Sequence, residues 1–133
     1  MSMSNTAENK VLKALLQGTD IDFRASANLY LALFTADPTE AGVFTNEATY
    51  TGYARVAMPK ASSWTDGGST FTNSGLVQFP QCTGGNNVIT HFALCTLASA
   101  GEIVVSGALN ASLNISSGIQ PQFSSASLSV GAD

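Results

Sequence analysis

The sequence is short of charge, and basic residues are the scarcest charged type. Only 11% of the 133 residues are charged, and five are basic: Lys10, Lys13, Arg24, Arg55 and Lys60. An ordinary globular domain carries about 25% charged residues. Lys and Arg contacts to phosphates supply most non-specific affinity for nucleic acid. With a net charge of −4, we predict binding neither to nucleic acid nor to an anionic membrane surface.

Long apolar runs are also missing. No stretch approaches the roughly 18 apolar residues of a spanning helix, so no membrane segment is predicted. The start, MSMSNTAENK, has neither the basic nor the apolar region of a secretory signal. We therefore expect the chain to be made and folded in a cytoplasm. There, Cys82 and Cys95 would stay reduced and behave as small buried apolar residues.

Residues that carry catalysis or bind metals are equally scarce. The one histidine, His91, lies in a strand-like apolar run, and no nucleophile elbow is present. A small hydrolase would need His91 beside a carboxylate and a nucleophile. Cys82, His91 and Cys95 offer at most three ligands and lack zinc-site spacing. We predict no enzyme activity, no catalytic residue, no metal site and no cofactor.

Apolar residues are present in a quantity that suits one folded domain. The chain is 44% hydrophobic, and a domain of this size buries about 65–70% of its unfolded surface. Asn5 to Gly18 predicts the one helix, with Asn5 as N-cap, Glu8 at the third helical position and Gly18 as the stop. Its apolar stripe consists of Val11, Leu12, Leu15 and Leu16.

Short strand-like runs fill the remainder of the chain. Residues 29–35 (LYLALFT) are apolar on both alternating faces, which predicts a central strand covered on two sides. Residues 36–52 are rich in turn formers and predict an exposed loop, either without regular structure or with one short strand. Further strands are predicted at residues 53–58, 70–73, 76–79, 88–97, 102–105, 108–115, 122–123 and 127–130.

This spacing is typical of an antiparallel β-sandwich or jelly roll. The predicted fold is therefore mainly β, as a single domain over residues 1–133. Residues 1–18 are predicted to form an N-terminal arm and the α-helix, and residues 29–130 are predicted to form the β-sandwich.

The second half of the chain is almost uncharged. After Asp66 the only charged residues are Glu102 and Asp133. A free monomer uses interspersed charge for solubility and to discourage strand-edge pairing, whereas interface cores are depleted of charge. We predict that partner proteins cover this half; the alternative is an uncharged polar surface in solvent. The predicted contact residues lie in the two chain ends: Met1, Ser2, Met3, Ser4, Asn5, Ser124, Ser125 and Asp133.

Four segments resemble a known family. They are LYLALFTADPTEAG (29–42), YTGYARVAM (50–58), FTNSGLVQFPQCTGG (71–85) and ITHFALC (89–95). They are similar to small bacteriophage virion proteins labelled capsid cement, head decoration or tail fibre proteins, and the likeness runs from about residue 29 to residue 130. The resemblance implies a compact β-sandwich without cofactor or active site, located in the virion after assembly in the host cytoplasm.

Within that family we expect a non-enzymatic capsid decoration or cement protein that stabilises the outer surface of the head shell. Its partners would be the major capsid protein and copies of itself, as a dimer or trimer. Weak contacts repeated by symmetry give a cement protein high avidity, whereas a fibre shaft needs sequence repeats, and none occurs. The alternative is a tail fibre or tail-tip adaptor that binds a host surface glycan or receptor.

Overall fold

The computed structural model describes residues 2–131. These residues contain ten strands and one helix. In chain order they are β1 (Ser2–Met3), α1 (Asn5–Gln17), β2 (Asn28–Phe34), β3 (Val56–Pro59), β4 (Trp64–Asp66), β5 (Thr70–Asn73), β6 (Val77–Gln78), β7 (Asn87–Cys95), β8 (Ile103–Ile115), β9 (Gln122–Phe123) and β10 (Ser129–Gly131). All the strand pairs are antiparallel. The predicted mainly β fold with one N-terminal helix is confirmed for these residues.

The strands form three sheets. The largest has the order β1-β8-β7-β2-β3, and the smaller ones have the orders β10-β5-β4 and β6-β9. Leu31 and Phe92 of the large sheet share one apolar cluster with Val77 of β6 and with Leu128, the residue before β10. The small sheets therefore cover one face of the large sheet. This division into five, three and two strands differs from the eight-stranded layout of a jelly roll.

The central strand β2 is buried on both faces, as its sequence predicts. Leu31 and Leu33 point into the main cluster, and Ala32 and Phe34 belong to a second cluster on the opposite face. All four side chains are fully buried.

The loop between β2 and β3 is less exposed than predicted. Phe44 packs against the second cluster, and Ala48 and Tyr50 are buried members of the main cluster. The expectation of an exposed loop is wrong at these residues, because both apolar faces of β2 have to be covered by other parts of the chain.

The helix begins at a different cap from the predicted one. Ser4 is the N-cap, and its Oγ accepts a hydrogen bond from the backbone amide of Ala7 at 3.2 Å. Asn5, the predicted cap, is the first helical residue. Gly18 ends the helix as predicted, with a left-handed φ of 68° that favours glycine. Over the described residues, no helix has the length and apolar character needed to cross a membrane.

Strand β8 is continuous where two strands were predicted. The expected break at residues 106–107 is wrong, since β8 runs from Ile103 to Ile115. Its pairing with β7 is interrupted later, between the pairs His91–Ala108 and Ile89–Leu113. Residues 109–112 therefore bulge out of the ladder.

Candidate interaction surfaces

The N-terminal arm lies against the body of its own chain. Ser2 and Met3 pair with β8, and Met3 also packs against the main apolar cluster. Ser4 is buried and caps α1. The amide of Asn5 donates to a carbonyl of the loop after β2 at 2.8 Å. Met1 lies outside the described residues, and contact between this arm and a partner protein stays a prediction.

A buried side chain of β5 adds to the strand pairing that holds the C-terminal segment. Asn73 is 1% exposed. Its Nδ2 donates to the carbonyl of Ser124 at 2.9 Å, and its Oδ1 accepts from the amide of Leu128 at 2.9 Å. The hydroxyl of Ser125 donates to a carbonyl in the turn after β5 at 3.0 Å. Asp133 lies outside the described residues, and partner contact through this segment also stays a prediction.

A cleft of about 590 Å³ opens between the large sheet and the three-stranded sheet. We call it the apolar cleft. Met3, Leu29 and Met58 line one wall, and Trp64, Phe71 and Val130 line the other. The cleft therefore lies beside the strands nearest both chain ends. A concave, mainly apolar site of this volume suits a bound molecule or an inserted side-chain cluster.

One cation lies at the apolar cleft. Lys60 is the one charged residue of its lining. Its Nζ donates to the carbonyls of Phe23 at 2.5 Å and Arg24 at 3.0 Å. Among the ion pairs of residues 2–131, none includes Lys60. Carbonyl partners position the ammonium but leave its charge uncompensated by a carboxylate.

Helix α1 carries a second apolar surface, which we call the leucine ridge. It consists of Leu12, Leu15 and Leu16, which are 53%, 75% and 80% exposed. Residues at i, i+3 and i+4 share one helix face. The opposite face is turned to the body, where Ala7 is buried. There, the ammonium of Lys10 contacts Glu102 at 2.7 Å and Asp22 at 3.0 Å. The apolar stripe predicted on α1 therefore exists, but its leucines face away from the core.

Two residues of the YTGYAR segment (50–55), Tyr53 and Arg55, form a polar network with Glu47. Arg55, whose side chain is 3% exposed, donates from Nε and Nη2 to both carboxylate oxygens of Glu47, at 2.7 and 2.9 Å. Its Nη1 donates to the carbonyls of Leu97 and Ala100, both at 2.8 Å. The hydroxyl of Tyr53 donates to Glu47 at 2.7 Å. This network ties the loop before β3 to the turn between β7 and β8, so the motif has a structural role.

The electrostatics of this network centre on Glu47. Burial raises the pKa of its carboxyl, but the hydrogen bonds from Arg55 and Tyr53 outweigh that effect and leave the pKa below its ordinary value. Glu47 is therefore held as a carboxylate.

The candidate chemical residues lie in ordinary structural environments. The Nδ1 atom of His91 shares a hydrogen bond with the hydroxyl of Thr90 at 2.8 Å. Both cysteines are free and buried, and burial raises the pKa of Cys95 to about 12. Within residues 2–131, no cluster of three or more His, Cys, Asp or Glu side chains could hold a metal ion. That the protein is not an enzyme stays a prediction.

Sequence reasoning did not identify the apolar cleft or the exposure of the leucine ridge. The cleft brings together strands that are far apart in the sequence, so no local pattern indicates it. The sequence of α1 does contain a pattern that indicates the exposure of the leucine ridge. Ala7, Val11 and Ala14 form a second apolar set on α1, and this set can pack on the body and leave the leucines outside.

The comparisons with known proteins agree with a virion role. The model of a family described as Podophage GP4 fiber I protein gp80 matches residues 2–131. No curated protein matches the chain. Because the family match spans almost the whole sequence, this protein belongs to the family of the Podophage GP4 fiber I protein gp80 and is a structural protein of a phage virion.

Proposed function

We propose that this protein is a non-enzymatic subunit of a phage fibre, acting as a tail fibre tip or adaptor in host attachment. The observation that carries the proposal is the family match over residues 2–131, whose description names a fibre protein. These residues contain no sequence repeats, which favours a single unit of a fibre over a repetitive shaft.

The two apolar surfaces support a role in assembly. The leucine ridge exposes three large apolar side chains on one helix face, and the apolar cleft has a mainly apolar lining. Contiguous exposed apolar surface marks sites of protein interaction. We propose copies of this chain as one class of partner and a neighbouring virion protein as another, with a host glycan or receptor reached through the assembled fibre.

Capsid decoration is the second candidate, with the major capsid protein as partner. The observation in its favour is that the described β-strands, of 2 to 13 residues, form no repeating unit. A shell-bound protein needs only such a body, repeated by the symmetry of the shell.

The test is to locate the protein in the particle. Purified virions are disrupted, heads and tails are separated on a density gradient, and the chain is quantified in each fraction by mass spectrometry, with the major capsid protein as the head marker. The fibre proposal predicts recovery with the tails. Recovery with the heads supports decoration instead, and absence from both fractions overturns both candidates.

A further inference from the structure

The leucine ridge lacks a partner within the described chain. Leu15 and Leu16 are 75% and 80% exposed. The opposite face of α1 packs on the body of the protein, through buried Ala7 and the ion pairs of Lys10. Three leucines at i, i+3 and i+4 form the pattern of anchors by which a helix enters an apolar groove.

The same chain offers such a groove. The apolar cleft is open, has a volume of about 590 Å³, and is lined by Met3, Met58, Trp64 and Phe71. Methionine side chains adapt their shape to an inserted group, and aromatic side chains give large contact areas. Phe71 is 41% exposed at the edge of the cleft, so an incoming helix would cover it.

Charge on the two surfaces is also complementary. The last turn of α1, which contains Leu15 and Leu16, has no basic residue. The partial negative charge of its final carbonyls is therefore not offset by a cation within that turn. Lys60 brings to the cleft a positive charge without a carboxylate partner among the described ion pairs. A helix seated with its C-terminal turn toward Lys60 would place its partial negative charge beside a cation whose present partners are two neutral carbonyls.

We infer that the leucine ridge of one copy occupies the apolar cleft of a second copy. This deepens the proposed function, since it names the contact through which copies assemble. Because ridge and cleft are different surfaces, a closed assembly either exchanges the contact reciprocally in a two-fold dimer or repeats it around a ring.

The test uses the full chain and measures its mass in solution by size-exclusion chromatography with light scattering. The ridge variant is the double substitution Leu15→Glu and Leu16→Glu, at positions that are mostly exposed. Two cleft variants are Phe71→Glu, which places a charge at the edge, and Ser69→Trp, which fills the cleft from an exposed lining position. Leu76→Glu is the matched control, at a leucine that is 58% exposed and outside both surfaces.

Wild type and Leu76→Glu are expected to be oligomers of the same mass, and the ridge variant and both cleft variants are expected to be monomers. Thermal melting of each variant checks that it is folded. If Phe71→Glu melts early, Ser69→Trp decides the outcome for the cleft, since it removes no core side chain.

Mixing supplies the decisive arm. The ridge variant keeps an intact cleft, and each cleft variant keeps an intact ridge. An equimolar mixture of the ridge variant with either cleft variant should therefore form a one-to-one complex with twice the monomer mass. A monomeric wild type, cleft variants that keep the wild-type mass, or a mixture that stays monomeric would each overturn the inference. Location in the virion is measured separately, so failure here leaves the fibre proposal to its own test.

Discussion

At the scale of single residues, buried polar groups hold the loops to the sheets, and Arg55 is the clearest case. Its guanidinium is almost fully buried against Glu47 and two carbonyls. Removing one partner of a buried pair leaves an uncompensated charge. We expect Arg55→Met to lower the free energy of unfolding by about 3 kcal/mol.

Urea denaturation measures this loss, and Arg24→Met is the matched control. Arg24 lies 3.6 Å from Asp20, and their side chains are 75% and 89% exposed. An exposed pair of this kind contributes at most about 1 kcal/mol. Equal effects of the two substitutions would contradict a stabilising role for the buried network.

The carboxyl of Glu47 also predicts how stability depends on pH. Its pKa in the folded chain lies below the ordinary 4.5, because the hydrogen bonds from Arg55 and Tyr53 outweigh burial. A lowered pKa contributes stability that is complete above the unfolded value and is lost as pH falls through the folded value. Wild type should therefore exceed Glu47→Gln in melting temperature at neutral pH, and the difference should shrink below pH 4.5.

Melting curves of both proteins at several pH values give this comparison. The pKa of Asp22 is also lowered, chiefly by its hydrogen bond to Lys10, but Asp22 is present in both proteins and cancels in the difference. A difference in melting temperature that stays constant from neutral to acidic pH would show that Glu47 does not contribute through its ionisation.

At the scale of elements, a side chain of β5, Asn73, holds the segment that leads into β10. Asn73→Ala removes the acceptor of the Leu128 amide and the donor to the Ser124 carbonyl. Buried groups that lose their partners cost about 1–3 kcal/mol each. We expect a loss of about 2–3 kcal/mol in the free energy of unfolding.

Hydrogen exchange locates this effect. The amide of Leu128 should exchange faster in Asn73→Ala, while amides of the central strand β2 change only as much as global stability does. A matched control is Gln78→Ala, which removes a 3.3 Å side-chain contact between exposed Gln78 and Gln122. If Leu128 keeps its protection, the C-terminal segment is held by its other contacts.

Elements with a strong local signal were predictable from the sequence. β2 was found because its run is apolar on both faces, and β5 and β9 have their predicted bounds. β4 was missed, since the three residues WTD carry too short a pattern. Local chemistry could not choose between Ser4 and Asn5 as N-cap, because both side chains cap helices well.

The candidate surfaces were less predictable, for a physical reason. The leucine spacing on α1 indicates an apolar face but not its direction, which depends on whether Ala7 or the leucines pack on the sheet. The apolar cleft exists only after strands from both ends of the chain have paired. Properties of tertiary packing such as these have no counterpart in a local pattern.

At the scale of the whole molecule, charge is distributed unevenly. Glu102 is the one charged residue from 67 to 131, and its oxygen is paired with Lys10. An interface formed by this half would therefore depend on apolar and uncharged polar contacts. Added charge at positions covered by other virion proteins should therefore reduce incorporation into the particle, because a charge buried at an interface without a partner loses its hydration.

We expect Val88→Lys and Ile119→Lys, at positions 52% and 40% exposed, to reduce incorporation into virions. Surface substitutions usually change stability by no more than about 0.5 kcal/mol, so folding should be preserved. Val43→Lys is the matched control, since Val43 is 43% exposed and lies in the more charged first half. The measurement is the amount of each variant per particle when it complements a phage that lacks the wild-type gene. Incorporation of all three variants at the wild-type level would mean that the weakly charged half faces solvent in the particle and that its composition has another cause.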